Sequence, residues 1–203
     1  MDMDSTLITM ETIDELGDLV GKKPEIAAIT ARAMRGEIDY PESLRQRVSL
    51  LAGLDEHGLL DIYENRLRLT AGAETLIAAC KKHGVKTLLV SGGFTFFVER
   101  LRDRLGIDHA ISNTLEIVNG RLTGRVLGDV VDAGAKARKF LSVMKTLEAT
   151  KSQTVAIGDG ANDLKMMAEA GLSVAFHAKP VVRGQASCAL TWSGLDGVVN
   201  LFE

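Results

Sequence analysis

Cysteine is almost absent from this sequence: Cys80 and Cys188 are the only two in 203 residues, and neither has another Cys or a His near it at metal-ligand spacing. That scarcity excludes a disulfide-stapled scaffold and a thiolate metal centre, and it fits two reduced thiols in the cytoplasm. Long apolar runs are missing as well. No stretch approaches the roughly 18 residues that cross a bilayer, and the first residues are acidic where a secretory leader would be basic and then apolar. Nor is there a surplus of positive charge. Lys and Arg number 24 against 27 Asp and Glu, for a net charge of −3, and the two signs are interspersed. No basic stripe is available for nucleic acid or an anionic membrane, so neither is an expected partner. Internal repeats, low-complexity tracts and linkers are also lacking.

What is present is 46% apolar residues, enough for one sizeable domain or a main domain with a smaller insertion. Short apolar, β-rich runs recur at Thr87 to Val90, His109 to Ile111, Thr154 to Ile157, Ser173 to Phe176 and Ala189 to Trp192. Helix-length segments separate them, which predicts an α/β, Rossmann-like, mostly parallel sheet with helices on both faces and its chemistry at the strand ends. Between Asn113 and Val131, alternating segments flank Asn119-Gly120, the signature of a small β-hairpin. Residues 10–69 differ. Ile13, Leu16, Leu19 and Val20 recur at helical spacing, Gly21 ends that run, and Pro24 and Pro41 stand at helix starts. This block predicts a helical cap inserted into a core formed by residues 1–9 and 70–203.

Four constellations carry chemistry. Asp2 and Asp4 in DMDST are two apart, so in an extended segment both carboxylates converge on one point, able to act as nucleophile and as general acid and base. An acidic turn would give the same letters. Ser91, Gly92 and Gly93 follow an apolar strand and offer a hydroxyl and backbone N–H groups to a phosphate, or simply a turn that needs glycine. Lys136 opens a helical stretch and can reach a phosphate as a point charge, but Lys139 is an equally basic neighbour and spacing does not choose between them. In GDGAND, Asp159 ends a buried-type strand and suits a hard cation, while Asn162 and Asp163 can hold that cation's waters or orient the lysine; an Asp-Gly turn with Asp163 as helix cap is the plainer account.

In this order, each at a strand end or helix start, the four resemble the motifs of haloacid dehalogenase-type phosphatases. METIDELGDLVGK, ARAMRGEIDYPESLRQRVSLL, VSGGFTFFVERLRDRLG, LTGRV and GDGANDL followed by FHAKP extend the resemblance over essentially the whole chain, to the family of phosphoserine phosphatases. The resemblance implies that Asp2 attacks phosphorus, that Asp4 protonates the leaving oxygen and activates water, and that Mg²⁺ is held by Asp2, the Asp4 carbonyl and Asp159, with Asp163 behind. Lys136, Ser91, Gly92 and Asn162 would bind the phosphoryl group. Glu11 would receive the substrate ammonium and Arg47 its carboxylate, with Met34 and Tyr40 excluding water; Arg45, two residues from Arg47, should point elsewhere. The substrate implied is phosphoserine, at the last step of serine biosynthesis, with the protein a monomer or homodimer.

One departure stands out. The family's nucleophile follows an apolar strand, whereas here Asp2 is the second residue, so the expectation is either that the chain begins late, lacking the amino-terminal part and exposing the neighbouring strands, or that another segment fills that place in the sheet. The amino-terminal regulatory-type domain of many bacterial relatives has no counterpart in these 203 residues. Two competing expectations follow: a phosphatase for another small phosphate, such as a phosphorylated homoserine or sugar, and a catalytically silent domain that binds Mg²⁺ or phosphate. Receiver-type signalling domains share an acidic pocket and a lysine but have no helical cap.

Overall fold

The computed structural model describes residues 1–202. Strands β1 (Leu88–Phe94), β2 (His109–Val118) and β3 (Arg121–Leu127) form one half of the sheet, and β4 (Val155–Gly158), β5 (Leu172–Phe176) and β6 (Cys188–Leu190) the other. Pairing is parallel except between β2 and β3. Met1 and Asp2 splice the halves. The Met1 ammonium donates to the Leu88 carbonyl (2.8 Å), the Val90 N–H donates to the Met1 carbonyl (2.9 Å), and the Asp2 N–H donates to the Ile157 carbonyl (3.0 Å). Met1 thus pairs with β1 and Asp2 with β4, so that these two residues bridge the halves of the sheet.

Alternate strand residues serve opposite faces, as the pleat requires. Leu89, Ile157, Val174 and Phe176 join the larger apolar cluster with Phe94, Phe97 and Leu101; Val90, Ala156 and Ala175 join a second cluster with Phe140, Met166 and Met167. Helices α6 (Thr95–Leu105), α7 (Ala133–Thr146) and α8 (Leu164–Glu169) supply the partners on these faces, and α5 (Ala73–Lys82) adds Leu76 and Ile77 to the larger cluster.

Residues 10–69 are helical as predicted: α1 (Thr12–Leu19), α2 (Lys23–Met34), α3 (Tyr40–Ser49) and α4 (His57–Asp61). Pro24 and Pro41 sit in first turns, and Asp39 caps α3 by accepting the Glu42 N–H at 2.8 Å. The block also contains extended backbone that helical periodicity did not announce: Asp55 pairs with Arg121 on β3, and Ile8 with Leu69. The first bridge stitches the helical block to the sheet, and the second joins the chain just before the block to its last residue. The hairpin forms where expected, with Asn119 and Gly120 both at positive φ (51° and 75°), the geometry that favours these two residues in a tight turn. Trp192 departs from the reading as strand: β6 ends at Leu190 and the indole lies 97% exposed in the loop beyond. Cys80 and Cys188 are free thiols, each half-buried. No helix among the described residues is long and apolar enough to cross a membrane.

The amino ends of β1 and β2 are locked by Asp108. Its carboxylate accepts from Lys86 Nζ (2.7 Å), the Thr87 N–H (2.9 Å) and the Thr87 hydroxyl (3.0 Å). Burial opposes ionisation, but these donors outweigh it and hold the Asp108 carboxyl at about 2. Because the folded value lies below the unfolded one of roughly 3.9, the stabilisation is present above about pH 4 and is lost as pH falls through about 2. Asp108→Ala should cost about 1–2 kcal/mol at pH 7. In urea unfolding at stepped pH, wild-type and variant stabilities should converge between about pH 4 and 2.

Candidate active site

At the carboxyl ends of β1 and β4 a single buried ammonium meets two carboxylates. Lys136 Nζ lies 2.8 Å from Asp2 Oδ1 and 2.8 Å from Asp163 Oδ1, with Lys136 1%, Asp2 5% and Asp163 0% exposed. Each residue is set by its local backbone. Asp132 caps α7 by accepting the Ala135 N–H (2.7 Å), placing Lys136 in the first turn with its side chain inward. Asp163 accepts the Gly160 N–H (3.2 Å) at the entry to α8, and any side chain at Gly158 would run into it. Burial alone would strip the proton from Lys136; the Asp2 and Asp163 charges outweigh it and hold the ammonium well above its usual range. Asp163 is itself pushed upward by burial and by the charge on Asp2, against the pull of Lys136.

Asp159 completes an acidic cluster in which carboxylate oxygens of Asp2, Asp159 and Asp163 lie within 4.8 Å of one another. The Thr6 hydroxyl donates to Asp159 Oδ1 at 3.0 Å, yet burial and then the charge on Asp2 raise its carboxyl. Three crowded carboxylates against one ammonium, all hard oxygen donors, suit a divalent cation such as Mg²⁺.

Asp2 and Asp4 both have extended backbone, and Ser5 then turns the chain at φ 57°. Asp4 accepts the N–H of Thr12 (3.1 Å) at the start of α1 and the Thr12 hydroxyl (3.4 Å). Burial, then Glu11 and Asp2, push Asp4 well above the usual carboxylate range, which favours a protonated acid. The Ser5 hydroxyl donates to Glu11 Oε1 at 2.6 Å. Glu11 is exposed as a residue, yet burial of its carboxyl, and then the charges of Asp159, Asp2 and Asp14, push it up despite that bond. From α3, the Tyr40 hydroxyl donates to the Gly92 carbonyl (3.1 Å), and burial pushes this phenol up to about 12. Arg47 stacks over the Tyr40 ring, 5.9 Å from its centroid, whereas Arg45 is exposed. Ser91 is fully buried and its Oγ accepts the Gly93 N–H at 2.8 Å.

Lys136 therefore stands in the cluster, while Lys139 is only partly buried and forms no ion pair among the described residues. Asn162 is exposed on the rim beside Gly160. Met34, at the end of α2, is 68% exposed and is not drawn into the cluster. Sequence reasoning assigned no role to Thr6 or Thr12. Thr6 lies within DMDST and was open to notice; Thr12 becomes legible only once α1 is seen to begin against Asp4.

The pattern shared by haloacid dehalogenase-like hydrolases matches residues 1–168. The chain belongs to that family. A protein of Polaromonas sp. named phosphoserine phosphatase is 55% identical over 207 residues, covering 100% of this chain and 88% of its own length. A solved structure described as a phospho-aspartyl intermediate analogue of phosphoserine phosphatase superposes with a TM-score of 0.92 at 38% identity, over 100% of this chain and 96% of that one. A crystal structure from Vibrio cholerae gives 0.85 at 48% identity over 93% of this chain, which spans 58% of that protein's length. As a member of this family, the chain is a hydrolase.

The acidic cluster makes a prediction of opposite signs. Since the folded state raises the Asp159 carboxyl, its charge costs stability at neutral pH. In EDTA, Asp159→Asn should melt above wild type by about 2–4 °C, the shift for roughly 1 kcal/mol in a chain of this size. Adding MgCl₂ should raise the melting temperature of wild type and leave the variant nearly unmoved. A variant that is less stable in EDTA would contradict the charge argument.

Proposed function

We propose that this chain hydrolyses O-phospho-L-serine to L-serine and inorganic phosphate by way of a phosphorylated Asp2. The observation that carries the reading is the buried Lys136 ammonium, 2.8 Å from Asp2 and from Asp163, beside an acid whose pKa is raised. The identity to proteins of that name, and the likeness to a phospho-aspartyl analogue structure, support it.

An Asp2 carboxylate oxygen attacks phosphorus in line, the P–O bond to the serine oxygen breaks, and protonated Asp4 gives that oxygen its proton. Asp4, now ionised, takes a proton from water as the water attacks phosphorus, so that phosphate leaves and Asp2 is restored. Lys136, the Ser91 hydroxyl and the Gly92 N–H face the equatorial oxygens, where charge accumulates. Asp2, the Asp4 backbone carbonyl and Asp159, with Asp163 behind, would hold Mg²⁺, which would supply further charge neutralisation. The demand is large, since enzymes accelerate phosphate monoester hydrolysis by up to ~10²¹.

Residues 10–69 act as the cap over a core of residues 1–9 and 70–203. In this reading Glu11 receives the ammonium of phosphoserine and Arg47 its carboxylate, and together they read a zwitterion. Tyr40 spans cap and core through the Gly92 carbonyl and shields the phosphate turn from water. Asn162, on the rim, contributes to holding the phosphoryl group. Two free thiols fit a reducing, cytoplasmic setting.

Phosphate release tests the assignment. With Mg²⁺, wild type should turn over phosphoserine, and Asp2→Asn should lose at least about 10³-fold in kcat. Glu11→Gln and Arg47→Ala should raise KM for phosphoserine about 10–100-fold and change turnover of p-nitrophenyl phosphate little, with Arg45→Ala close to wild type. Turnover of p-nitrophenyl phosphate without phosphoserine would point to another small phosphate. A folded, cation-binding protein with no turnover would leave only a binding role.

A further inference from the structure

The phosphate turn is a bulge that the sheet does not itself stabilise. Val90 pairs with Ile111 and Phe94 with Asn113, so Ser91, Gly92 and Gly93 on β1 face only Ser112 on β2. Such an insertion throws the extra backbone out of the ladder and leaves its polar groups to find other partners. The Gly92 carbonyl finds two: Tyr40 from the cap, and Asn113 Nδ2 at 2.8 Å.

Asn113 is 1% exposed, and its other amide atom is also committed. Asn113 Oδ1 accepts the Val131 N–H at 2.8 Å. Val131 immediately precedes Asp132, the cap of α7, whose carbonyl accepts the Lys136 N–H at 3.0 Å. The amide has one workable orientation, because a flip would set N–H against N–H and oxygen against oxygen. On the β1 side, the Gly92 carbonyl and the Gly93 N–H belong to one planar peptide unit. Anchoring the carbonyl therefore aims the Gly93 N–H, which donates to Ser91 Oγ. With its oxygen so occupied, the Ser91 hydroxyl has its own proton left to donate to an anion.

We propose that Asn113 is a positioning residue for phosphoryl transfer: one buried side-chain amide that holds the Ser91–Gly93 turn and the start of the Lys136 helix at a fixed separation, so that hydroxyl and ammonium converge on the same phosphoryl group. The inference rests on the phosphatase reading above, but concerns a residue without direct contact to substrate.

The test compares Asn113→Ala and Asn113→Asp with Thr87→Val in the full chain. Thr87 is buried and hydrogen-bonded to Asp108 at the opposite end of β1, so its loss reports destabilisation alone. Melting temperature, kcat and KM for phosphoserine, and inhibition by inorganic phosphate are measured well below each transition. Asn113→Ala should lose about 10–100-fold in kcat and bind phosphate about tenfold more weakly, while Thr87→Val loses melting temperature with kcat within about twofold of wild type. Asn113→Asp keeps the acceptor for Val131 and loses the donor to Gly92, so it should show the same weakening with less thermal loss, and it decides the matter if the alanine variant does not fold. Asn113 variants that lose melting temperature like Thr87→Val, yet keep kcat and phosphate inhibition within about twofold, would overturn the proposal. Failure of wild type on phosphoserine would instead count against the substrate reading. In that case phosphate inhibition of p-nitrophenyl phosphate turnover, or calorimetric titration with phosphate and Mg²⁺, carries the same comparison.

Discussion

The fully buried ammonium of Lys136 is the constraint on which the site depends. An unpaired charge there would be untenable, and the carboxylates of Asp2, Asp159 and Asp163 would repel one another without it. Its two contacts join three separate segments: the first residues of the chain, the first turn of α7 and the entry to α8. One side chain thus organises the meeting of both halves of the sheet. Pairings of this kind contribute little net stability in a protein interior, since desolvation offsets attraction. Their value lies in geometry and in charge held ready.

The backbone beneath makes that geometry rigid. Met1 and Asp2 hydrogen-bond to β1 on one side and β4 on the other, so the Asp2 carboxylate stands where the two halves join. Strict alternation between the two apolar clusters fixes which face each neighbouring residue serves. A slip of one residue would send Leu89 and Val90 to the wrong clusters and would break the pairing that seats Asp2. The acids at the strand ends inherit their positions from apolar residues that take no part in chemistry.

Much of this was legible in the sequence, and the exceptions have physical reasons. Strand and helix periods, Asn119-Gly120 and the prolines at helix starts are local signals, and the corresponding elements form. The choice between Lys136 and Lys139 was not local. It is made by α7, whose capped first turn buries one and leaves the other partly exposed. Trp192 read as the end of a strand because its neighbours are β-prone, but among the described residues no strand lies beyond Leu190 to receive it. Pairing of Asp55 with Arg121 joins residues far apart in sequence, which periodicity within one segment cannot register.

The distribution of charge also limits what the site can hold. Asp2, Asp4, Glu11, Asp159 and Asp163 converge; against them stand Lys136, the more distant Arg47, and the Met1 amino group, which burial lowers to about 6 and so leaves mostly uncharged at neutral pH. A bare phosphate dianion brought into that field would meet net repulsion. A ligand that brings cationic charge of its own, an ammonium beside Glu11 and a divalent cation among the three aspartates, converts the repulsion into attraction. The raised carboxyls of Asp4, Glu11 and Asp159 express the same imbalance from the protein's side. A phosphorylated amino acid with its metal ion therefore satisfies the electrostatics of the pocket more completely than a neutral alcohol's phosphate does, before any contact specific to the side chain is counted.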